Sequence, residues 1–176
     1  VPDLVGEPIN QWANPESKTL AWMRNYVLEV VSRYRDSPAI WAWQYGNELS
    51  LSASLPNAKE HRPPIVPERG TPETRSERDE LSFADVRKVF VAFATAVREH
   101  DPYRMIFTGD GFPRPSAWHQ EKENSWTNDT ADQFAEILVK ANPDPIDGIE
   151  LHAYDANDEA RFDMALQVAR NLNKPI

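Results

Sequence analysis

The stretch SPAIWAWQYGNE, Ser37 to Glu48, decides the fold of this chain. An apolar, aromatic run follows the turn signal at Ser37 and breaks at Gly46 into the polar pair Asn47-Glu48. A strand built for a protein interior that ends in a polar pair predicts that its carboxyl end carries functional side chains.

The rest of the chain alternates between helical and strand patterns. Four sets of apolar residues recur at the i, i+3, i+4, i+7 spacing of an amphipathic helix. Capping-box spacing at Ser82 and Asp85 predicts the start of the second helix, and Thr130 with Gln133 predicts the start of the third. The four predicted helices contain Met23–Tyr34, Val86–Val97, Phe134–Ala141 and Phe162–Leu172.

Three short apolar runs between these helices predict strands: Ile40–Tyr45, Arg104–Thr108 and Gly148–His152. Strands that alternate with helices predict parallel βαβ units. Because parallel strands are normally covered on both faces, three of them predict part of a larger sheet. We therefore expect an α/β fold in which residues 1–176 form a partial (β/α)₈ TIM barrel, approximately strands four to six with flanking helices.

A doubly wound sheet is the alternative fold. It would need a Gly-rich phosphate turn after a strand, and Gly109–Phe112 does not match G-x-G-x-x-G. The long segment Ser50–Leu81, which is crowded with Pro, Glu and Arg, follows a strand and is expected on the C-terminal face of the barrel. It is either a functional loop or a solvated insertion.

Composition excludes several classes of partner. The net charge of −9 argues against nucleic acid and against an anionic membrane. The absence of Cys excludes thiolate chemistry but leaves the compartment open, with a secreted or periplasmic location as the expectation. The sequence contains no apolar run of about 18 residues, which is the length that would predict a membrane span. The first residues, VPDLVGEPIN, lack Met and a signal core, and we expect a longer parent protein.

All three expected strands end in groups that can carry chemistry. In a barrel, functional residues come from the carboxyl ends of strands, so these groups should meet at one rim. Asp110 either contacts a substrate there or forms a turn. The three strand ends are Asn47-Glu48, Gly109-Asp110-Gly111 and His152-Ala153-Tyr154-Asp155.

Alternation along the strands predicts which side chains face the barrel interior. Gln44 lies on the same face as Glu48, which leaves the aromatic residues of the first strand, Trp41, Trp43 and Tyr45, to pack against helices.

The same alternation predicts a polar pair inside the barrel. Glu150 shares a face with His152, just as Gln44 shares one with Glu48. Because a buried carboxylate needs a partner, we predict a hydrogen bond between Gln44 and Glu150. Asn47 points outward by strict alternation and reaches the site only if the strand bends at its glycine.

The aromatic strand with its Asn-Glu pair resembles the fourth-strand signature of clan A glycoside hydrolases, which are (β/α)₈ barrels. The resemblance is nearest to family 5, the cellulase and mannanase family, and LHAY, Leu151 to Tyr154, is similar to the His-x-Tyr of its sixth strand. It covers the whole chain, from the loop after the third strand to the start of the seventh. It implies a retaining hydrolase of β-linked mannan- or glucan-type polysaccharides, without a cofactor.

The resemblance also implies a role for each site residue. Glu48 becomes the general acid/base, and Asn47 hydrogen-bonds the sugar 2-hydroxyl beside the cleaved bond. His152 and Tyr154 line the cleft, with Tyr154 near the nucleophile. The family's nucleophile is a Glu at the end of the seventh strand, which is expected beyond Ile176. The remainder of the barrel is then a required partner, and this chain alone is expected to be inactive.

Two further expectations concern the chemistry of the site. The acid/base of a retaining hydrolase must be protonated at rest, and the poorly hydrated strand before Glu48 predicts a raised carboxyl pKa. Trp118 and Trp126 lie in the loop after the second strand, where they either stack on sugar faces or anchor the loop.

Other interpretations of the same residues stay open. Asn47-Glu48 could be a capping or loop pair, and His152 could be a satisfied core histidine. A metal site could use His152, Asp155 and Asp158, although no ligand pair has i, i+4 helical spacing. The alternative functions are a non-catalytic carbohydrate-binding protein on the same fold, or another barrel enzyme that uses Glu48 as a general base.

Overall fold

The computed structural model describes residues 1–154 and 158–176. Within these ranges the chain forms six α-helices joined by turns of 3₁₀ helix, and two β-strands. The helices are α1 Pro2–Val5, α2 Lys18–Tyr34, α3 Phe83–Arg98, α4 Ala117–Glu123, α5 Ala131–Ala141 and α6 Glu159–Leu172. The strands are β1 Ala42–Gln44 and β2 Met105–Phe107.

The four predicted helices are confirmed as α2, α3, α5 and α6. Both predicted capping boxes are also confirmed. The Ser82 hydroxyl accepts from the Asp85 N–H at 3.1 Å while the Asp85 carboxylate accepts from the Ser82 N–H at 3.0 Å. Thr130 and Gln133 form the same reciprocal pair at α5. In the described parts of the chain, no helix has the length and apolar character that crossing a bilayer requires.

Strands β1 and β2 pair in parallel, with α3 in the connection between them, so the predicted βαβ unit is confirmed. The register places Trp43 opposite Ile106. Backbone pairing continues beyond the strands, because the Tyr45 N–H donates to the Phe107 carbonyl at 3.2 Å. The carboxyl end of β1 is therefore held against the carboxyl end of β2, which is where the candidate site begins.

The third predicted strand, Gly148–His152, is not formed. The backbone N–H of Asp147 donates to the Ile106 carbonyl at 2.9 Å, and that of Ile149 donates to the Pro175 carbonyl at 2.8 Å. These bonds link the segment to β2 and to the chain near Pro175, but they form no ladder. The Asp147 carboxylate also accepts the Ile106 N–H at 2.8 Å, so a side chain supplies a further link between this segment and β2.

The aromatic residues in and next to β1 differ in how they pack. Tyr45 makes edge-to-face contacts with Phe90 and Phe93 of α3, at centroid distances of 5.5 and 5.4 Å, and its burial raises its pKa. Trp43 donates its indole N–H to Asp101 at 2.9 Å. Trp41 is 86% exposed, so the prediction that it packs against a helix is wrong. It precedes the first paired residue of β1, where no neighbouring element covers it.

The apolar core has two parts. The larger lies between α2, α3 and the strands, and the smaller joins α5 and α6 to the segment after β2. Fully buried side chains of the larger part include Val31, Val86, Phe90, Val97, Ile106, Ile137 and Ile146, and the smaller part includes Phe112, Phe134, Leu138, Ile149 and Ala165.

The segment between β1 and α3 is tied together where its two ends meet. Ala53 and Leu81 form an isolated parallel bridge, and the Ser54 N–H donates to the Leu81 carbonyl at 2.8 Å. The Ser54 hydroxyl accepts the Phe83 N–H at 3.0 Å at the start of α3. The interior of the segment is anchored by Arg75, which forms ion pairs with carboxylates of Asp3 and Asp79. The segment is therefore held by contacts between its own residues and by contacts with α1 and α3.

Candidate active site

Glu48 lies at the carboxyl end of β1 in a left-handed backbone conformation, with φ 52° and ψ 36°. This conformation costs a non-glycine residue roughly 1–2 kcal/mol. The Glu48 N–H donates to the Gly109 carbonyl at 2.8 Å, which holds the turn against the end of β2. The strand thus ends in a tight turn that redirects the Glu48 side chain.

Two of the side chains predicted for the site, those of His152 and Tyr154, meet at the Glu48 carboxylate. His152 Nδ1 lies 2.9 Å from Glu48 Oε1, and the Tyr154 hydroxyl donates to the same oxygen at 2.7 Å. The side chains of Glu48 and His152 are 20% and 22% exposed, so the group is open to solvent on one side. An acceptor held by two donors and still reachable from outside is suited to proton transfer with a bound molecule.

The two donors shift the pKa of Glu48. The hydrogen bond from Tyr154, followed by that from His152, lowers the pKa of Glu48 below its usual value. The same hydrogen bond raises the pKa of the Tyr154 hydroxyl. The expectation of a raised Glu48 pKa is therefore wrong for this chain, because donors from a distant segment outweigh the effect of the aromatic strand.

The segment Gly109–Gly111 forms the wall behind Glu48. A Cβ placed at Gly109, where φ is +77°, would lie 1.9 Å from the Gly46 carbonyl oxygen, so only glycine fits. A Cβ at Gly111 would lie 3.1 Å from Glu48 Oε1. The two glycines let β2 approach both the turn after β1 and the carboxylate of Glu48.

Asp110, between these glycines, is buried with 2% exposure. Its Oδ1 accepts the Ser50 N–H at 3.1 Å, and burial raises the pKa of Asp110 to about 6. Of the two sequence interpretations, substrate contact or turn formation, the structure supports the turn. The sequence did not indicate that Asp110 binds Ser50, because the two residues are 60 positions apart and belong to different elements.

The predicted pair of Gln44 and Glu150 is confirmed. Gln44 Nε2 donates to Glu150 Oε1 at 2.9 Å, and Glu150 Oε2 accepts the Gly109 N–H, also at 2.9 Å. Gln44 itself is exposed in this chain rather than enclosed. The glutamate therefore connects β1, the end of β2 and the segment that carries His152.

The other predicted site residues do not contact Glu48. Asn47 is exposed, and its side chain has no hydrogen-bond partner within residues 1–154 and 158–176. Trp118 packs against the core and donates its indole N–H to Glu136 at 2.8 Å, as a loop anchor would. Trp126 is half exposed.

The alternative of a metal site depended partly on Asp155, which lies outside the described residues. In the described ranges, no group of three or more His, Cys, Asp or Glu side chains is arranged to hold a metal ion. His152 is instead bound to Glu48, and Asp158 forms an ion pair with Arg161 at 3.0 Å.

Comparison with known proteins gives a short match. No protein-family model matches the chain. A stretch of 27 residues is 67% identical to proteins named "Probable mannan endo-1,4-beta-mannosidase F" from Aspergillus flavus and from Aspergillus oryzae. The match covers 15% of this chain and 6% of the length of each fungal protein. This similarity is consistent with a relationship to glycoside hydrolases.

Proposed function

We propose that this chain is the acid/base-carrying part of a retaining glycoside hydrolase, built on a family 5 type (β/α)₈ barrel. The observation that carries the proposal is the Glu48 carboxylate, which lies at the end of a parallel strand and is held by Tyr154 and His152. Active sites of (β/α)₈ barrels lie at this end of the strands.

Glu48 would act in both steps of a double displacement. In the first step its carboxyl group donates a proton to the leaving glycosidic oxygen while a nucleophilic carboxylate attacks the anomeric carbon. In the second step the Glu48 carboxylate takes a proton from a water molecule while the water oxygen bonds to the anomeric carbon and the bond between that carbon and the nucleophile breaks. His152 and Tyr154 bind one oxygen of Glu48 and so fix the direction in which the carboxylate faces.

The nucleophile is proposed to lie outside residues 1–176, in the remainder of the barrel. Retaining enzymes place the two carboxyl groups about 5–5.5 Å apart. A second carboxylate at that distance raises the pKa of the first, because two like charges repel. The lowered pKa of Glu48 in this chain would then rise in the complete site. Glu48 would keep its proton to a higher pH and could donate it in the first step. Asn47, exposed beside Glu48, is available to the sugar 2-hydroxyl.

A β-linked mannan is the first substrate to test, with a β-glucan as the second. The short match to proteins named as mannan endo-1,4-beta-mannosidases supports this order. The acidic net charge of −9 is compatible with a neutral polysaccharide.

One observation favours a second candidate, an enzyme on the same fold that uses Glu48 as a general base. The hydrogen bonds from Tyr154 and His152 lower the pKa of Glu48, and a base must be ionised before it can accept a proton. The two candidates differ in whether Glu48 must first donate a proton.

Glu48→Gln in the catalytically complete enzyme tests the proposal. The variant should nearly abolish hydrolysis of substrates with poor leaving groups, because their departure needs a proton. It should leave formation of the glycosyl-enzyme from activated aryl glycosides almost unchanged, measured as the burst of released phenol. Glu29→Gln, at an exposed position on α2, is the matched control and should leave both rates unchanged.

The outcomes separate the candidates. Equal loss on both substrate types would contradict the acid role and favour a general base. Binding of mannan without turnover by the unmodified protein would instead indicate a non-catalytic carbohydrate-binding protein.

A further inference from the structure

Asp110 is a buried carboxyl group that the mechanism above does not use. Its Oδ1 accepts the Ser50 N–H at 3.1 Å, whereas its Oδ2 is buried without a hydrogen-bond partner among the described residues. A buried carboxyl group with an unused oxygen is costly in free energy. Ser50, whose backbone N–H it accepts, lies two positions after Glu48, so Asp110 is placed to affect the turn that carries Glu48.

The turn that carries Glu48 is held on both sides by the segment after β2. The chain enters the turn with the Glu48 N–H bound to the Gly109 carbonyl, and leaves it with the Ser50 N–H bound to Asp110. Between these two bonds Glu48 has its left-handed conformation, which the hydrogen bonds must stabilise. Neighbouring Gly111 leaves space for the Glu48 carboxylate.

We propose that Asp110 is a positioning residue for Glu48. By binding the Ser50 N–H it keeps Glu48 in the backbone conformation that brings one carboxylate oxygen to both His152 and Tyr154. The claim that Asp110 fixes the Glu48 backbone rests on the hydrogen bonds of the Ser50 and Glu48 N–H groups alone. Its consequence for catalysis rests on the proposed function.

The test compares two substitutions of Asp110 in the 176-residue chain. Asp110→Ala removes the acceptor, so amide hydrogen exchange at Ser50 should become at least about tenfold faster. The Glu48 pKa, followed by carbon-13 NMR of its carboxyl group, should rise toward its usual value as His152 and Tyr154 lose their alignment. Asp110→Asn keeps an acceptor oxygen and should preserve the slow exchange at Ser50.

Asp101→Asn is the matched control, because Asp101 is also buried but binds backbone N–H groups at the opposite end of β2. It should lower stability without changing the Glu48 pKa. If Asp110→Ala does not fold, Asp110→Ser, with a side chain too short to keep the same contact, takes its place. An unchanged Glu48 pKa in the Ala or Ser variant would overturn the proposal, as would an equal shift in Asp101→Asn.

A kinetic measurement adds the catalytic consequence. In the complete enzyme, Asp110→Ala should lower kcat by roughly tenfold to a hundredfold with little change in KM, because a misplaced acid/base affects the chemical step. An unmodified enzyme without hydrolase activity would contradict the proposed function, while the NMR result would still decide whether Asp110 positions Glu48.

Discussion

Gln44 Nε2 donates a hydrogen bond to Glu150 Oε1 at 2.9 Å and joins two side chains that are 106 positions apart in sequence. The other oxygen of Glu150 accepts the backbone N–H of Gly109. A single carboxylate thus connects the end of β1, the end of β2 and the segment that leads to His152. Since this segment forms no strand ladder, the Glu150 side chain adds to two backbone hydrogen bonds, from Asp147 and Ile149, in aligning it with the site.

A double-mutant cycle with Gln44→Ala and Glu150→Ala measures this connection. We expect a coupling free energy of about 1 kcal/mol in urea unfolding, since the acceptor is charged but the pair is solvent-accessible. Gln44→Ala combined with Glu136→Ala provides the control and should be additive. A Gln44–Glu150 coupling below about 0.3 kcal/mol would contradict the prediction.

Gly109→Ala should destabilise the fold by about 3 kcal/mol or more, because both a positive φ and a clash with the Gly46 carbonyl oppose the new Cβ. Gly46→Ala is the control, since nothing lies within 4 Å of a Cβ at that position. Urea unfolding of the two variants gives the comparison, and equal loss of stability would show that the close approach at Gly109 is unimportant.

Tyr154→Phe should raise the pKa of Glu48, because it removes the donor with the largest lowering effect. Glu48 would then keep its proton to a higher pH than in the unmodified chain, as a carboxyl titration by NMR would record. Tyr103→Phe, at an exposed position, should not change the titration. A Glu48 pKa that does not rise in Tyr154→Phe would argue against the hydrogen bond.

Asp101→Asn should lower the free energy of unfolding by about 2 kcal/mol at pH 7. Burial alone would raise the Asp101 pKa, but donors from Trp43, Tyr103 and Arg104 lower it to about 2. The stabilisation is therefore present above the usual pKa near 3.8 and disappears as the pH falls toward 2.

The Asp101 prediction is checked by urea unfolding as a function of pH. The stability difference between the unmodified chain and Asp101→Asn should shrink between pH 4 and about 2. Asp36→Asn, whose side chain is exposed, is the control and should change the free energy of unfolding little at pH 7. A difference that stays constant on acidification would indicate that the charge of Asp101 contributes little.

Much of the local structure was predictable because its causes are local. Apolar periodicity and capping boxes located the four long helices, and the alternation of side chains predicted the Gln44–Glu150 pair. The partial barrel remains a prediction, because two paired strands are too few to define it. Helix α4 was missed because it is short and has little apolar periodicity.

Features that depend on distant partners were not predictable from sequence patterns. The segment of the third predicted strand is linked to β2 partly through the Asp147 carboxylate, and no periodicity reports that contact. The direction of the Glu48 pKa shift depends on Tyr154, which is 106 positions away. Candidate residues at strand ends could be identified from the sequence, whereas their protonation and exposure required the fold.

The bridge between Ala53 and Leu81 has a consequence for how this chain can vary. Because the two ends of the segment meet at one neck, an insertion at the exposed residues 67–70 can leave β1, α3 and the Arg75 ion pairs in place. Each doubling of a flexible loop costs only about 0.6 kcal/mol. The neck also lies a few residues from Glu48, so an exchanged loop would extend from the rim of the site. The surface beside Glu48 can therefore change while the turn that carries Glu48 stays in place.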